Sequence, residues 1–508
     1  MTPPVPAGLL LIDPDDDVGI AVRDLPDPAG ARVPAGHKVA VRDLRAGDLV
    51  RKYGRVIGRA TRPIRAGEHV HGHNLAVPGD LPAPGGRGVG TGGPADRDPR
   101  DPLPAAPADL QRTFLGIPRA DGRFATRNII AVMGTVSCAA GVVRAVAARC
   151  APRTPEGVDA VVPLAHPGGC GTAARGPGSR ILRRTLLGYA RNPNVCGLLV
   201  IGLGCEVNTV QGLLDGLAPS SGPRTATMTI QDAGGTLASI EAAERLVREL
   251  ARPVGEVVRV PVGVENLVVG LQCGGSDAWS GVSANPVLGA AVDLLVAAGG
   301  NAVLAETPEI FGAEHLLASR AVRPGIAREL LDRVEWWRRY AAGSGVTLDA
   351  NPSPGNLDGG ITTILEKSLG AICKAGGAPL TAVLDYAQQI PRTGLTFMDT
   401  PGYDPVSLTG LIAGGANLIC FTTGRGSVLT SRMVPTVKIV SNGPTARRLA
   451  QDIDLDCSPV VTDGADVAER GRRLYDLVLR TASGRRSAGE DLGLDGEELV
   501  PWQLGAVL

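Results

Sequence analysis

Residues 197–208 read Gly-Leu-Leu-Val-Ile-Gly-Leu-Gly-Cys-Glu-Val-Asn, an apolar run that breaks directly into glycine, a thiol and a carboxylate. A short unbroken apolar run of this kind suits a strand buried on both faces, as in a parallel sheet covered by helices. Five more junctions repeat the pattern. Ile129–Met133 leads into Gly134–Cys138, Ala160–Leu164 into His166–Gly171, and Leu267–Leu271 into Gln272–Asp277. Asn301–Ala305 leads into Glu306–Glu309, and Leu418–Phe421 into Thr422–Ser427. Between them lie stretches of helical period: Ala242–Leu250, Ala313–Ala321 and Ile326–Tyr340. Strand and helix in alternation predict parallel βα units from residue 113 onward, and ligands of such sheets bind beyond the carboxyl ends of the strands. Cys, His, Glu, Asp and Arg collect at those ends.

Outside this region the text differs. Residues 1–75 carry short alternating runs such as His37–Val41 and Arg55–Gly58, punctuated by Gly and Asp, and predict a small β-rich domain. Residues 76–112 are dense in Pro, Gly and charge, with little to bury, and read as a flexible linker. The connection near Arg252–Glu265 divides the rest into an α/β domain over 113–258 and a C-terminal α/β domain over 259–508.

Composition narrows the function. Lys+Arg and Asp+Glu are both 51 in 508 residues, a balance that argues against a nucleic-acid or anionic-membrane footprint. The apolar runs are too short to span a bilayer, and the start lacks the basic stretch of a signal peptide. Nine scattered cysteines suit a reduced, cytoplasmic chain. No complete GxGxxG appears between a strand and a helix, nor any GxxxxGK[ST], which sets nucleotide binding aside. Each cysteine taken singly reads equally well as packing. Cys170, Cys205 and Cys273 together, each after a strand, point to chemistry, whereas Cys150, Cys196, Cys373 and Cys457 read as packing. His69, His71 and His73 alternate, so a strand would place them on one face, where two could share a metal or a substrate carboxylate.

With these residues in view the chain resembles the altronate/galactarate dehydratases. Gly36–Ala40, Lys52–Gly58 and Ala66–His71 look like that family's SAF-type N-terminal domain. Ala120–Arg123, Thr126–Asn128, Gly202–Glu206, Cys273–Asp277, Ser283–Pro286, Asn351–Asn356, Glu366–Gly370 and Thr423–Gly426 look like its motifs in the large part. The implied architecture is α/β, a small β-rich SAF-type domain plus a large two-lobed region of parallel βα units. The implied reaction removes water from a hexonate or hexarate to give a 2-keto-3-deoxy acid, with a divalent metal. Iron is the first expectation, with manganese or magnesium as alternatives. Two departures bear on the sugar pocket: Leu357 stands where the family usually has lysine, and Ser427–Thr430 where it often has Thr-Pro-Tyr-Gly. Relatives built from the same parts eliminate sulfite from sulfolactate, and a non-catalytic sugar-acid sensor is a further alternative.

On this reading Cys170, Cys205 and Cys273 hold the metal, with His166 beside it; three thiolates would also suit an iron–sulfur cluster with one open iron. Glu206, Glu306 and Glu309, with His166, are the candidates for acid and base, the division between them open. Arg127 and Arg425 would grip substrate carboxylates, because the guanidinium fork matches a carboxylate. Ser276, Asp277, Asn351 and Asn356 would bind hydroxyls, and His69 and His71 would reach in from the small domain. The expected assembly is a homo-oligomer.

Overall fold

A computed structural model describes residues 7–79, 98, 100–170, 176–217, 223–494 and 498–504. The expected linker falls largely outside the described residues. Its later part, 100–112, is anchored, with Ala106 and Leu110 buried in the same core as Val50 and Phe114.

The N-terminal domain is built of short antiparallel strands. One sheet pairs Leu9–Leu10, Val18–Ala21, Lys38–Ala40 and His69–Val70, and a second pairs Leu49–Lys52, Arg55–Ala60 and Leu75–Ala76. Its apolar residues, Val50, Ile57, Val70 and Leu75 among them, merge with the core of the C-terminal domain. The small domain is therefore docked along a continuous apolar interface.

The second domain is a parallel sheet in the order Ala160–Leu164, Ile129–Gly134, Val195–Gly202, Arg224–Thr229. Period two decides which side chains go where. Ile130, Val132, Leu199 and Ile201 face helices Ala140–Cys150 and Thr236–Ala251, while Ile129, Ala131, Met133, Leu198 and Val200 face helix Pro177–Ala190.

The C-terminal domain carries a seven-stranded parallel sheet. Its order is Leu380–Leu384, Leu395–Met398, Asn301–Leu304, Val268–Cys273, Leu418–Thr423, Thr436–Val440, Leu455–Asp456. The two lobes join at the amino ends of their strands: Thr126 Oγ1 donates to the Asn417 carbonyl at 2.7 Å, and Asn194 Nδ2 to that of Met433 at 3.0 Å. The carboxyl edges, where the expected site residues lie, are the strand ends opposite this joint. Among the described residues no helix is long and apolar enough to cross a membrane.

Candidate active site at the carboxyl edge of the large sheet

Strands Val268–Cys273 and Asn301–Leu304 are paired neighbours in parallel register, so the loops leaving their carboxyl ends meet. Cys273 ends the first strand, and Glu306 and Glu309 lie just beyond the second. Their ligand atoms lie within 4.8 Å of one another, and all three residues are buried. Among the described residues this is the one set of three potential metal donors that converges so closely. Glu306 takes left-handed backbone at φ 71°, a conformation costly outside glycine. Surrounding bonds hold it there. The Glu306 N–H donates to Thr400 Oγ1 at 2.9 Å, and Asp399 accepts from Thr307 Oγ1 at 2.6 Å and Trp337 Nε1 at 2.8 Å.

Two lysines face the carboxylates. Lys367 Nζ donates to Glu309 at 2.7 Å and to Asn351 Oδ1 at 2.9 Å, and Lys374 Nζ donates to the Cys273 sulfur at 2.8 Å. Neither oxygen of Glu306 has a hydrogen-bond partner among the described residues, although Lys374 stands 4.0 Å away. Burial, then the neighbouring Glu309, hold the Glu306 carboxyl well above the usual range. Burial works against ionisation of Glu309 too, but Lys367 and Lys374 outweigh it and hold that carboxyl low. Burial pushes the Cys273 thiol up to about 12. Asp404 completes the group. A Cβ on Gly274 would fall 2.3 Å from its Oδ2, and burial with Glu309 raises it to about 6.

This donor set fits a divalent ion. Two buried carboxylate oxygens without partners, a second carboxylate and a sulfur offer hard and soft ligands together, which suits ferrous iron better than an all-oxygen metal.

The adjoining cleft is walled by both domains: Tyr53 comes from the small one, and Ser276, Asp277, Glu366 and Lys367 from the large one. Lys38 and Lys52 of the small domain clamp Glu366 at 2.8 and 2.7 Å, all three fully buried. Burial opposes the Glu366 charge, but the two ammonium groups bring the carboxyl down to about 2. Histidines from the same domain close over the loop 351–360. His37 Nε2 meets the Asp358 carbonyl at 3.3 Å, His71 Nε2 meets that of Leu357 at 3.0 Å, and His37 Nδ1 lies 3.0 Å from His69 Nε2. If each carbonyl takes an N–H, His37 Nδ1 must accept from His69, so neutral tautomers satisfy the chain. Burial, then its histidine neighbours, bring His69 down to about 4, in keeping with neutral rings.

The structure thus gathers Cys273, Glu306 and Glu309 in one buried cluster with Asn351 linked to it through Lys367, places Ser276 and Asp277 on the adjoining cleft, and sets Asn356, His69 and His71 at the loop 351–360 beside it. Several of these serve the walls. Asn356 Nδ2 donates to the Ser276 carbonyl at 2.8 Å, and Asp277 accepts from Ser280, Ser441 and Asn442. Arg425 is exposed at the rim, its N–H on the Gly275 carbonyl at 2.7 Å.

Other expected site residues stand elsewhere. Arg127 forks onto Glu490 at 2.6 and 2.9 Å and donates to the Thr481 and Arg485 carbonyls, so its guanidinium is occupied in joining the lobes. Glu206 ties down its own turn, accepting from Thr135 Oγ1, Leu203 N–H and Gly204 N–H. His166, Cys170 and Cys205 lie on loops of the second domain, the two cysteines exposed. Sequence reasoning missed further residues in and around the site, Tyr53 among them. Lys38, Lys52, Glu366 and Lys367 stand inside motif segments where nothing local singles them out, and Asp404 sits in a turn-forming run between Tyr403 and Pro405. Lys374, also missed, had one signal: a lone charge in the otherwise uncharged run 368–378.

Comparison with known proteins covers all three domains. Residues 7–78 match the altronate/galactarate dehydratase SAF domain, and 116–255 the second domain of D-galactarate dehydratase/altronate hydrolase. Residues 264–507 match the C-terminal domain of D-galactarate/altronate dehydratase. The altronate dehydratase of Bacillus subtilis (strain 168) is 32% identical over 98% of this chain and 99% of its own. The galactarate dehydratase (L-threo-forming) of Escherichia coli (strain K12) is 34% identical over 94% of this chain and 93% of its own. The (2R)-sulfolactate sulfo-lyase subunit beta of Chromohalobacter salexigens is 34% identical over 75% of this chain and 95% of its own. With all three domain models matched in order and full-length relatives above 30% identity, the chain belongs to the altronate/galactarate dehydratase family.

Proposed function

We propose that this chain is a hydro-lyase that removes water from a hexonate or hexarate and leaves a 2-keto-3-deoxy acid. The observation that carries the reading is the buried Cys273/Glu306/Glu309 set, flanked by Lys367, Lys374 and Asp404 and joined through Lys367 to a cleft walled by two domains. The hydrogen beside a carboxylate is weakly acidic, so its removal needs a base and a counter-charge for the enolate. Cys273, Glu306 and Glu309 would hold a divalent metal, iron foremost, and that ion would act as a Lewis acid on the substrate's carboxylate and hydroxyl. Bound so, Glu306 would lie in its ionised form, because a cation inverts the effect of burial. Asp404 takes the proton at Oδ2, and Lys367 Nζ, turned toward the cleft, returns one to the departing hydroxyl. Arg425 at the rim grips the distal carboxylate, and Ser276 with Asn351 faces the hydroxyls. A homo-oligomeric enzyme working in the cytoplasm belongs to the same proposal.

The test is turnover of altronate, galactarate, glucarate and sulfolactate with ferrous iron and reductant, followed for keto-deoxy acid and sulfite. A keto-deoxy acid from any of the sugar acids supports the proposal. Sulfite from sulfolactate alone transfers the chain to the sulfo-lyase reading, and saturable binding without turnover transfers it to the sensor.

A further inference from the structure

The second domain carries a thiol group of its own, unconnected to the cleft chemistry. Of nine free cysteines, three are exposed: Cys138, Cys170 and Cys205. Each comes after the carboxyl end of one of three adjacent parallel strands, Ile129–Gly134, Ala160–Leu164 and Val195–Gly202. The loops are tied to each other. Ser137 N–H donates to the Gly168 carbonyl at 2.9 Å, Val207 N–H to that of Cys170 at 3.1 Å, and Asn208 Nδ2 to that of Thr135 at 3.0 Å. On the same loop as Cys170, His166 is 3% exposed, and its Nε2 has no hydrogen-bond partner among the described residues. Exposed thiols are unusual, since free cysteine ordinarily packs as a small hydrophobe, and three on adjoining loops call for a cause.

We propose that Cys138, Cys170 and Cys205 ligate a [4Fe–4S] cluster at the carboxyl edge of the second sheet. Soft thiolates select iron–sulfur chemistry. One tetrahedral ion bound at about 2.3 Å needs its sulfurs close together. These three do not fall within 4.8 Å of one another. A cubane is larger than an ion and spreads its thiolates accordingly. Three ligands leave one iron to take an oxygen donor. Cys273 is not part of this set: it is buried in the other lobe, with Lys374 and Glu309 on its sulfur. Nothing in this set depends on which acid the enzyme dehydrates.

The full chain, purified without oxygen and reconstituted with ferric iron, a thiol reductant and sulfide, should be brown and hold about four sulfides, with about four irons beyond the one that the cleft would bind. Maleimide should label Cys138, Cys170 and Cys205 only after the cluster is destroyed by air and chelator. Changing any one of the three to serine should remove most of the visible absorption and acid-labile sulfide, with circular dichroism unchanged. Cys196→Ser and Cys273→Ser should keep both. A reconstituted protein without sulfide, equal labelling before and after oxidation, or colour that survives Cys138→Ser but not Cys273→Ser would overturn the proposal.

Discussion

Lys38 of the N-terminal domain donates to Glu366 of the C-terminal domain at 2.8 Å, at a point from which water is shut out. Lys52 reaches the other oxygen of the same carboxylate. Removing the shared partner strands two ammonium groups, and breaking a buried pair in this way costs about 3–5 kcal/mol. Glu366→Gln should therefore undock the small domain. Limited proteolysis should release it while the two α/β domains keep their melting transition, and turnover should fall at least as far as docking does. A variant with wild-type protease resistance would show that the apolar interface alone suffices.

Acid should reach the same interface. Glu366 is depressed to about 2 from 4.5, so its contribution is complete above pH 4.5 and is lost as pH falls toward 2. His69, brought down to about 4 from 6.5, acts in the same sense: the folded domain favours the neutral ring, and that preference turns into a cost as pH falls from 6.5 through 4. Both predict a small domain that loosens in acid, the histidine first. Hydrogen exchange of residues 37–76 between pH 7 and 2 checks it: unchanged protection down to pH 4 would rule out His69 as a determinant, and unchanged protection down to pH 2 would rule out Glu366 as well.

The small domain should also work as a separate piece. A relative named as a subunit already spans three quarters of this chain, and residues 7–79 carry Lys38, Lys52 and the apolar side chains that pack on the C-terminal domain. Deleting residues 1–79 should leave a folded, inactive protein, and adding the segment back in trans should restore part of the turnover. Full activity of the truncated protein would remove His69, His71 and Tyr53 from any role in the cleft.

Arg127 separates a structural from a binding role. Its fork onto Glu490 and its carbonyl contacts predict that Arg127→Ala costs about 3–5 kcal/mol in stability and leaves KM near wild type. A KM raised tenfold or more in a protein of unchanged Tm would return Arg127 to the substrate.

The same residues show how far the sequence could be read. The parallel sheets were legible because runs such as Ile129–Met133 and Gly197–Leu203 are apolar throughout, which strands between two helical layers require. Cys273, Glu306 and Glu309 were legible as strand-end residues. That they converge was not, because only the direct pairing of Val268–Cys273 with Asn301–Leu304 brings the two strand ends together, and consecutive strands need not be neighbours. Arg127 looked like a ligand-binding group because nothing local announces Glu490, 363 residues away. Asp404 gained significance through burial, and Lys374 through burial added to its lone charge in the run 368–378.

Asp404 and Glu306 test the chemistry directly. Asp404→Asn should lower kcat about 10²–10⁴-fold with KM little changed, the usual size of a lost proton acceptor. A loss confined to KM would make it a binding group.

Glu306 has a different consequence. Its backbone occupies a region that costs about 1–3 kcal/mol for a residue with a side chain, and its carboxyl is buried without a hydrogen bond. Folding alone favours glycine here, and Glu306→Gly should raise Tm while abolishing turnover. Stability and activity thus set opposite demands on one position. A search for thermostable variants of this enzyme that screens for folding alone should discard residue 306 early, and with it the activity.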